Sequence, residues 1–172
     1  VYRYDGNEHK IEITGILPEN TKVFYENNKA TNAGVYNAKA IISHDGYNTL
    51  TLNATLTINK SDYDMSNVSW NYDNVNGFTY DGTEKEILVQ NLPQGVTVKQ
   101  YQNNKGTNAG AYNASVSFNY DSINYNEPEL SDLQWEIKKA DMTGISFESK
   151  TVEYDSLQHS IELVGNIPAD ST

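Results

Sequence analysis

Apolar and polar residues alternate with a period of two along much of the chain. Val68-Ser69-Trp70-Asn71-Tyr72, Phe78-Thr79-Tyr80, Val96-Thr97-Val98-Lys99-Gln100-Tyr101, Tyr112-Asn113-Ala114-Ser115-Val116-Ser117-Phe118 and Leu133-Gln134-Trp135-Glu136-Ile137 follow this pattern, and Glu86-Ile87-Leu88-Val89 is a short apolar run. Successive side chains of a strand point to opposite faces, so the alternation predicts strands with one buried face. The residues are those that suit a pleated, half-buried surface: Val, Ile, Thr, Tyr and Phe. Asp81-Gly82, Leu92-Pro93-Gln94-Gly95 and Asn108-Ala109-Gly110 fall between these runs and carry turn chemistry. No window has the 3.6-residue period of an amphipathic helix. The chain is predicted to be all-β.

The pattern also repeats. Tyr4-Asp5-Gly6 recurs as Tyr80-Asp81-Gly82 and, altered, as Tyr154-Asp155-Ser156. Leu17-Pro18 recurs as Leu92-Pro93 and Ile167-Pro168. Tyr25 to Ala38 matches Tyr101 to Ala114 at 11 of 14 positions, and Ile58-x-Lys60-Ser61-Asp62 returns as Ile137-x-Lys139-Ala140-Asp141. Offsets of 74 to 79 residues, with the markers in constant order, define a tandem array. The phase that best fits the polar joints Lys60-Ser61-Asp62 and Lys139-Ala140-Asp141 divides the chain into three units. Residues 1–60 are a unit lacking its first strand, 61–139 a complete unit with roughly six strands, and 140–172 the opening strands of a third. The period is too long for a solenoid repeat and suits modules with separate cores. The joints are short and free of Gly/Ser or Pro-rich linker, which predicts a semi-rigid, elongated array cut from a longer one.

Asn32-x-Gly34-x-Tyr36-x-Ala38 and Asn108-x-Gly110-x-Tyr112-x-Ala114 look like the tyrosine corner of immunoglobulin-like sandwiches, with Ala where antibody domains place a Cys. Each unit is therefore expected to be a small, disulfide-free immunoglobulin-like β-sandwich. At 79 residues the complete unit is short for that fold, and a β-grasp-like mixed sheet is the alternative. The set Tyr-Asp-Gly, Leu-Pro, Tyr-x-Asn-Asn-Lys-x-Thr-Asn-Ala-Gly-x-Tyr and a closing Ile-x-Lys resembles the MBG/YDG-type tandem repeat modules of bacterial cell-surface adhesins. The resemblance spans essentially the whole chain. It implies an extracellular setting, at a bacterial surface or cell wall or secreted. It also implies a role in adhesion, as a stalk or spacer with a weak multivalent binding face. Tyr154-Asp155-Ser156 loses the Gly of the pattern, which puts a turn with positive φ there in doubt.

Composition narrows the chemistry. The 172 residues carry 12 Lys+Arg against 23 Asp+Glu, a net charge of −11, with no Cys, three His and 19 aromatics among them. An acidic chain without a basic block is repelled by phosphate backbones, so no nucleic-acid partner is expected. No apolar run is long enough for a membrane span, so no membrane insertion is expected, and no basic-then-apolar leader stands at its start. Disulfides and thiolate chemistry are excluded. His9, His44 and His159 have no ligand-spaced partner, and His9 and His159 are expected to be solvent-facing strand residues. The carboxylates are scattered and no Gly-x-Ser-x-Gly occurs. No catalytic residue and no cofactor is predicted, and the chain is not expected to be an enzyme.

Hard-oxygen candidates for calcium are Asp62 and Asp64 at the first joint and Asp141 at the second, in no EF-hand spacing. Asn27-Asn28-Lys29 and Asn103-Asn104-Lys105 are candidate binding loops, a repeated polar surface for host glycan or protein. The plainer reading is that Asn tolerates the left-handed conformation that the loop needs. Trp70 and Trp135 read as core. The structural markers are Tyr4, Asp5, Gly6, Tyr80, Asp81, Gly82, Asn32, Gly34, Tyr36, Asn108, Gly110 and Tyr112. Beside the spacer role stand a glycan- or mucin-binding, lectin-like module and an accessory domain of a secreted enzyme. The expected partners are neighbouring repeats, with strand exchange between chains through the unpaired strands of the cut units.

Overall fold

A computed structural model describes residues 1–165 and 167. Pro168 of the Ile167-Pro168 marker, and with it the end of the 140–172 segment, lies outside the described residues. Among the described residues there are sixteen strands and no helix. Unit 1 contains β1 (Tyr2–Arg3), β2 (His9–Lys10), β3 (Lys22–Glu26), β4 (Lys29–Ala30), β5 (Gly34–His44) and β6 (Tyr47–Asn59). Unit 2 contains β7 (Ser69–Trp70), β8 (Phe78–Thr79), β9 (Lys85–Glu86), β10 (Val89–Gln90), β11 (Thr97–Gln102), β12 (Lys105–Gly106), β13 (Gly110–Asn119) and β14 (Leu133–Lys138). The third segment contributes β15 (Ile145–Ser146) and β16 (Val164–Gly165).

Both units build the same mixed sheet. Its order is β1-β6-β5-β3 in unit 1 and β8-β14-β13-β11 in unit 2. The first strand runs parallel to the last, and the other pairs are antiparallel. The register is shared residue by residue. Gly34↔Ile58, Tyr36↔Leu56 and Ala38↔Ala54 in unit 1 answer to Gly110↔Ile137, Tyr112↔Trp135 and Ala114↔Leu133 in unit 2. A one-residue slip would turn every apolar side chain to the wrong face, so the common alternation enforces the common register. The uneven offsets have structural causes. Between Leu-Pro and Tyr the spacing grows by one residue in unit 2, and β11 absorbs it as a bulge between Val98 and Gln100. The later growth falls in the connection between β13 and β14. Unit 1 has only a tight turn there, between His44 and Tyr47.

A smaller ribbon covers one face of each sheet, β2-β4 in unit 1 and β9-β12 in unit 2. The core of unit 2 is Ile87, Ala114, Trp135 and Ile137, with Trp70, Tyr72, Phe78, Tyr112 and Leu133 packed against it. Trp135 is 2% exposed and stacks on Tyr112 at 4.5 Å. The counterparts in unit 1 are Ala38, Leu56 and Ile58, all buried, together with buried Ala40.

Unit 2 has eight strands where roughly six are expected. The expected run Glu86–Val89 splits because Ile87 leaves the ladder. Its N–H donates to Asn104 O and its side chain drops fully into the core. This hands β9 to β12 and β10 to β7, and β12 is a strand too short for periodicity to reveal. The doubt about the third turn is also resolved: Ser156 adopts φ 65° without the glycine that supplies φ 81° at Gly6 and 79° at Gly82.

Candidate functional site

The repeated polar loops turn inward. Asn27 and Asn103 both sit at φ 51°, a left-handed conformation that Asn adopts more readily than most residues. The next residue holds the ribbon: Asn28 Nδ2 donates to Ile11 O at 2.9 Å, and Asn104 Nδ2 to Ile87 O at 3.0 Å. Asn103 O accepts from Trp135 Nε1 at 2.9 Å, so the loop also anchors the largest core residue. Lys29 faces Glu8 at 3.3 Å, while Lys105 lies between Glu84 at 3.4 Å and Glu86 at 3.3 Å. The hydrogen bonds that Lys105 donates to those two glutamates, Glu86 foremost, raise its pKa. Asn28 and Asn104 are thus engaged within the unit, while Asn27, Lys29, Asn103 and Lys105 are exposed.

The Tyr-Asp-Gly markers are Asx turns followed by a side-chain clasp. Asp81 Oδ1 accepts from Thr83 N at 2.9 Å and its Oδ2 from Lys85 Nζ at 2.6 Å. The Lys85 hydrogen bond, followed by those from Thr83, holds the Asp81 carboxyl well below the usual carboxylate range. In the other two copies His replaces Lys. His9 bonds Asp5 at 3.0 Å and His159 bonds Asp155 at 2.8 Å. The expectation that His9 faces solvent is corrected, since its side chain is 16% exposed and stacks on Tyr2 at 4.2 Å. The second marker closes as a tyrosine corner: the Tyr36 hydroxyl donates to Asn32 O at 2.9 Å, and Tyr112 to Asn108 O at 2.7 Å.

The joint between units 1 and 2 is a built interface. The connection after β13 carries Asn124, only 6% exposed, back to the unit 1 corner. Asn124 Oδ1 accepts from Ala33 N at 2.8 Å, and its Nδ2 donates to Asn32 Oδ1 at 3.3 Å and Asp121 Oδ2 at 2.8 Å. Tyr125 stacks on Tyr63 at 4.1 Å and meets Tyr4 edge-on at 5.4 Å. Burial, ahead of the neighbouring tyrosines, raises the Tyr125 pKa. Lys60 Nζ donates to Ser122 O at 2.7 Å. Two calcium candidates lie here or close by. Asp62 accepts from Asn126 Nδ2 at 2.6 Å and from Arg3 at 2.8 Å, and these donors, Asn126 first, lower its pKa. Asp64 accepts from Ser66 N at 3.0 Å and Oγ at 2.6 Å. Both oxygens of Asp62 thus accept from protein donors, while Asp64 accepts through Oδ1. Among the described residues no group of three or more acids or His forms a metal-ligand set, at Asp62, Asp64 or Asp141.

Sequence reasoning did not single out Asn124, Tyr125, Tyr63 or Arg3. Asn124 falls in the residues by which the connection after β13 exceeds the turn between His44 and Tyr47 of unit 1, so repetition gave no signal for it. The excess of residues in that connection was the available clue.

A groove of about 530 Å³ opens on the ribbon side of unit 1, between Ile11–Thr14, Tyr25, Ala38–Ala40 and Leu52–Thr55. In unit 2 the corresponding place is filled by β7. No family model, no curated protein and no solved structure matches the chain.

Proposed function

We propose that the chain is a stretch of a non-catalytic tandem array that serves as a stalk or spacer of a bacterial surface adhesin of the MBG/YDG type. In this reading each unit is a reduced immunoglobulin-like sandwich. The observation that carries it is the joint. A loop of one unit inserts a buried Asn and a stacked Tyr into the corner of the preceding unit. Unit 2 presents the same corner atoms again, at Asn108 and Ala109, to whatever follows. A built joint between consecutive units fits transmission of length and stiffness. The tyrosine corner supports the sandwich. An acidic surface keeps such an array soluble and apart from its neighbours.

Small-angle scattering with calcium and with chelator, paired with backbone NMR relaxation, tests this. Identical profiles and common tumbling of residues 1–60 and 61–139 are expected. Independent tumbling, or a shape that depends on calcium, would sink the spacer. Glycan-array binding that weakens on substitution of Asn28 or Asn104 in folded protein would replace it with the lectin-like module.

A further inference from the structure

The sheet order leaves β3 as an edge strand in unit 1 and β11 as an edge strand in unit 2. Unit 2 keeps this edge open although β7 packs on its ribbon side, so the edge belongs to the sheet order itself. Among the described residues no strand pairs with the outer side of either. Alternate N–H and C=O groups of an edge strand point away from the sheet and invite a further strand.

The two edges are equipped differently. β11 is broken by its bulge between Val98 and Gln100, which twists the edge away from further pairing. The residues that it turns to solvent, Thr97, Gln100 and Gln102, are uncharged. β3 runs without a register shift through its five pairs with β5. Tyr25 lines the ribbon side, so Lys22, Phe24 and Glu26 share the opposite, outer face. Phe24 is 61% exposed there, beside Ile41 of β5. Glu26 meets Lys39 at 2.8 Å, while Lys22 faces Ser43. Lys22-Val23-Phe24-Tyr25-Glu26 is thus a flat edge that complements itself when turned end for end.

We propose that β3 pairs antiparallel with β3 of a second copy of this chain, about a two-fold axis at Phe24. In this register Lys22 of each copy faces Glu26 of the other, Val23 faces Tyr25, and Phe24 faces its own counterpart. The two four-stranded sheets become one. Ile41 and Phe24 of both copies form an apolar row across the axis on the outer face. Glu26 lies between Lys39 of its own chain and Lys22 of the other. Charge selects this arrangement. Parallel pairing in register sets Lys22 beside Lys22 and Glu26 beside Glu26, and a two-residue slip sets Phe24 opposite a charge. The contact is isologous and closes at two copies. Five residues from each copy make a small interface, and the net charge of −11 on each chain opposes it, so the dimer is weak and forms at high concentration.

Sedimentation equilibrium of the 172-residue chain from micromolar to millimolar concentration tests this, with the variants Lys22→Glu and Glu26→Lys. Both side chains lie on the solvent face, so units 1 and 2 stay folded. The wild type should approach twice the monomer mass and not exceed it. Each variant alone sets like charges opposite one another and should stay monomeric. Mixed in equal amounts, the two variants are complementary again and should form a one-to-one dimer. Alternate β3 amides should gain hydrogen-exchange protection as wild-type concentration rises, and those of β11 should not. A wild type that is monomeric throughout would overturn the proposal and leave the edge to another partner or to solvent. Assembly beyond two copies, a dimer of either variant alone, or folded variants that fail to combine would overturn it as well. None of these results bears on the spacer role, which rests on the joint.

Discussion

Units 1 and 2 share a sheet order, a register and a tyrosine corner, yet their ribbon sides differ. In unit 2 a strand from before the Tyr-Asp-Gly marker lies on the core, and Ile87 is fully buried. In unit 1 the equivalent Ile11 borders a groove. The main sheet is common to both, with the β5–β6 and β13–β14 pairings in equivalent register, and the difference lies in what covers its ribbon side.

The strongest way to break this comparison is to make unit 2 resemble unit 1. Trp70→Ala should cost unit 2 about 3 kcal/mol, somewhat below the loss for a fully buried Trp because Trp70 is half-buried. Denaturation followed by Trp135 fluorescence measures it, and an unchanged midpoint would show that β7 adds nothing to the core. Next comes the joint. Asn124→Ala leaves Ala33 N–H and Asn32 Oδ1 without their partner, at a cost of about 1–3 kcal/mol. Relaxation measurements should then find units 1 and 2 tumbling more independently, each still folded. Common tumbling in the variant would shift the weight of the joint to Tyr125 and Tyr63.

The turns offer a smaller contrast. Ser156→Gly should stabilise the third turn by up to about 1 kcal/mol, and Gly82→Ser should weaken the second by a similar amount, because only Gly is unstrained at that φ. Amide exchange of Leu157 and Thr83 reads both, and equal protection before and after would contradict the strain. The smallest effect is acid sensitivity. Asp81 is depressed below 3.8, so the stabilisation of its turn is present above that value and is lost as pH falls through the lower folded pKa. The Thr83 amide shift should hold through pH 4 and move only in stronger acid. Asp81→Asn should abolish the transition, and a midpoint at the ordinary aspartate value would contradict the Lys85 clasp.

The all-β class and the places of β11, β13 and β14, though not their ends, were legible because they follow from local rules. Alternation selects the buried face, Asn and Gly mark left-handed turns, and near-identity over Tyr25–Ala38 and Tyr101–Ala114 demands equal geometry. The inward engagement of Asn28 and Asn104 was half legible: the turn chemistry pointed to it, but their partners Ile11 and Ile87 lie seventeen residues away. The joint and the groove were decided only in three dimensions. Asn124 reaches a corner more than ninety residues earlier in the chain, through a connection that no repeat copies. The groove lies at the place where unit 2 packs β7 on its core. Periodicity records which face of a strand is buried. It carries no record of which neighbour does the burying, because contact between distant segments depends on how whole elements stack and not on the order of residues within any one of them.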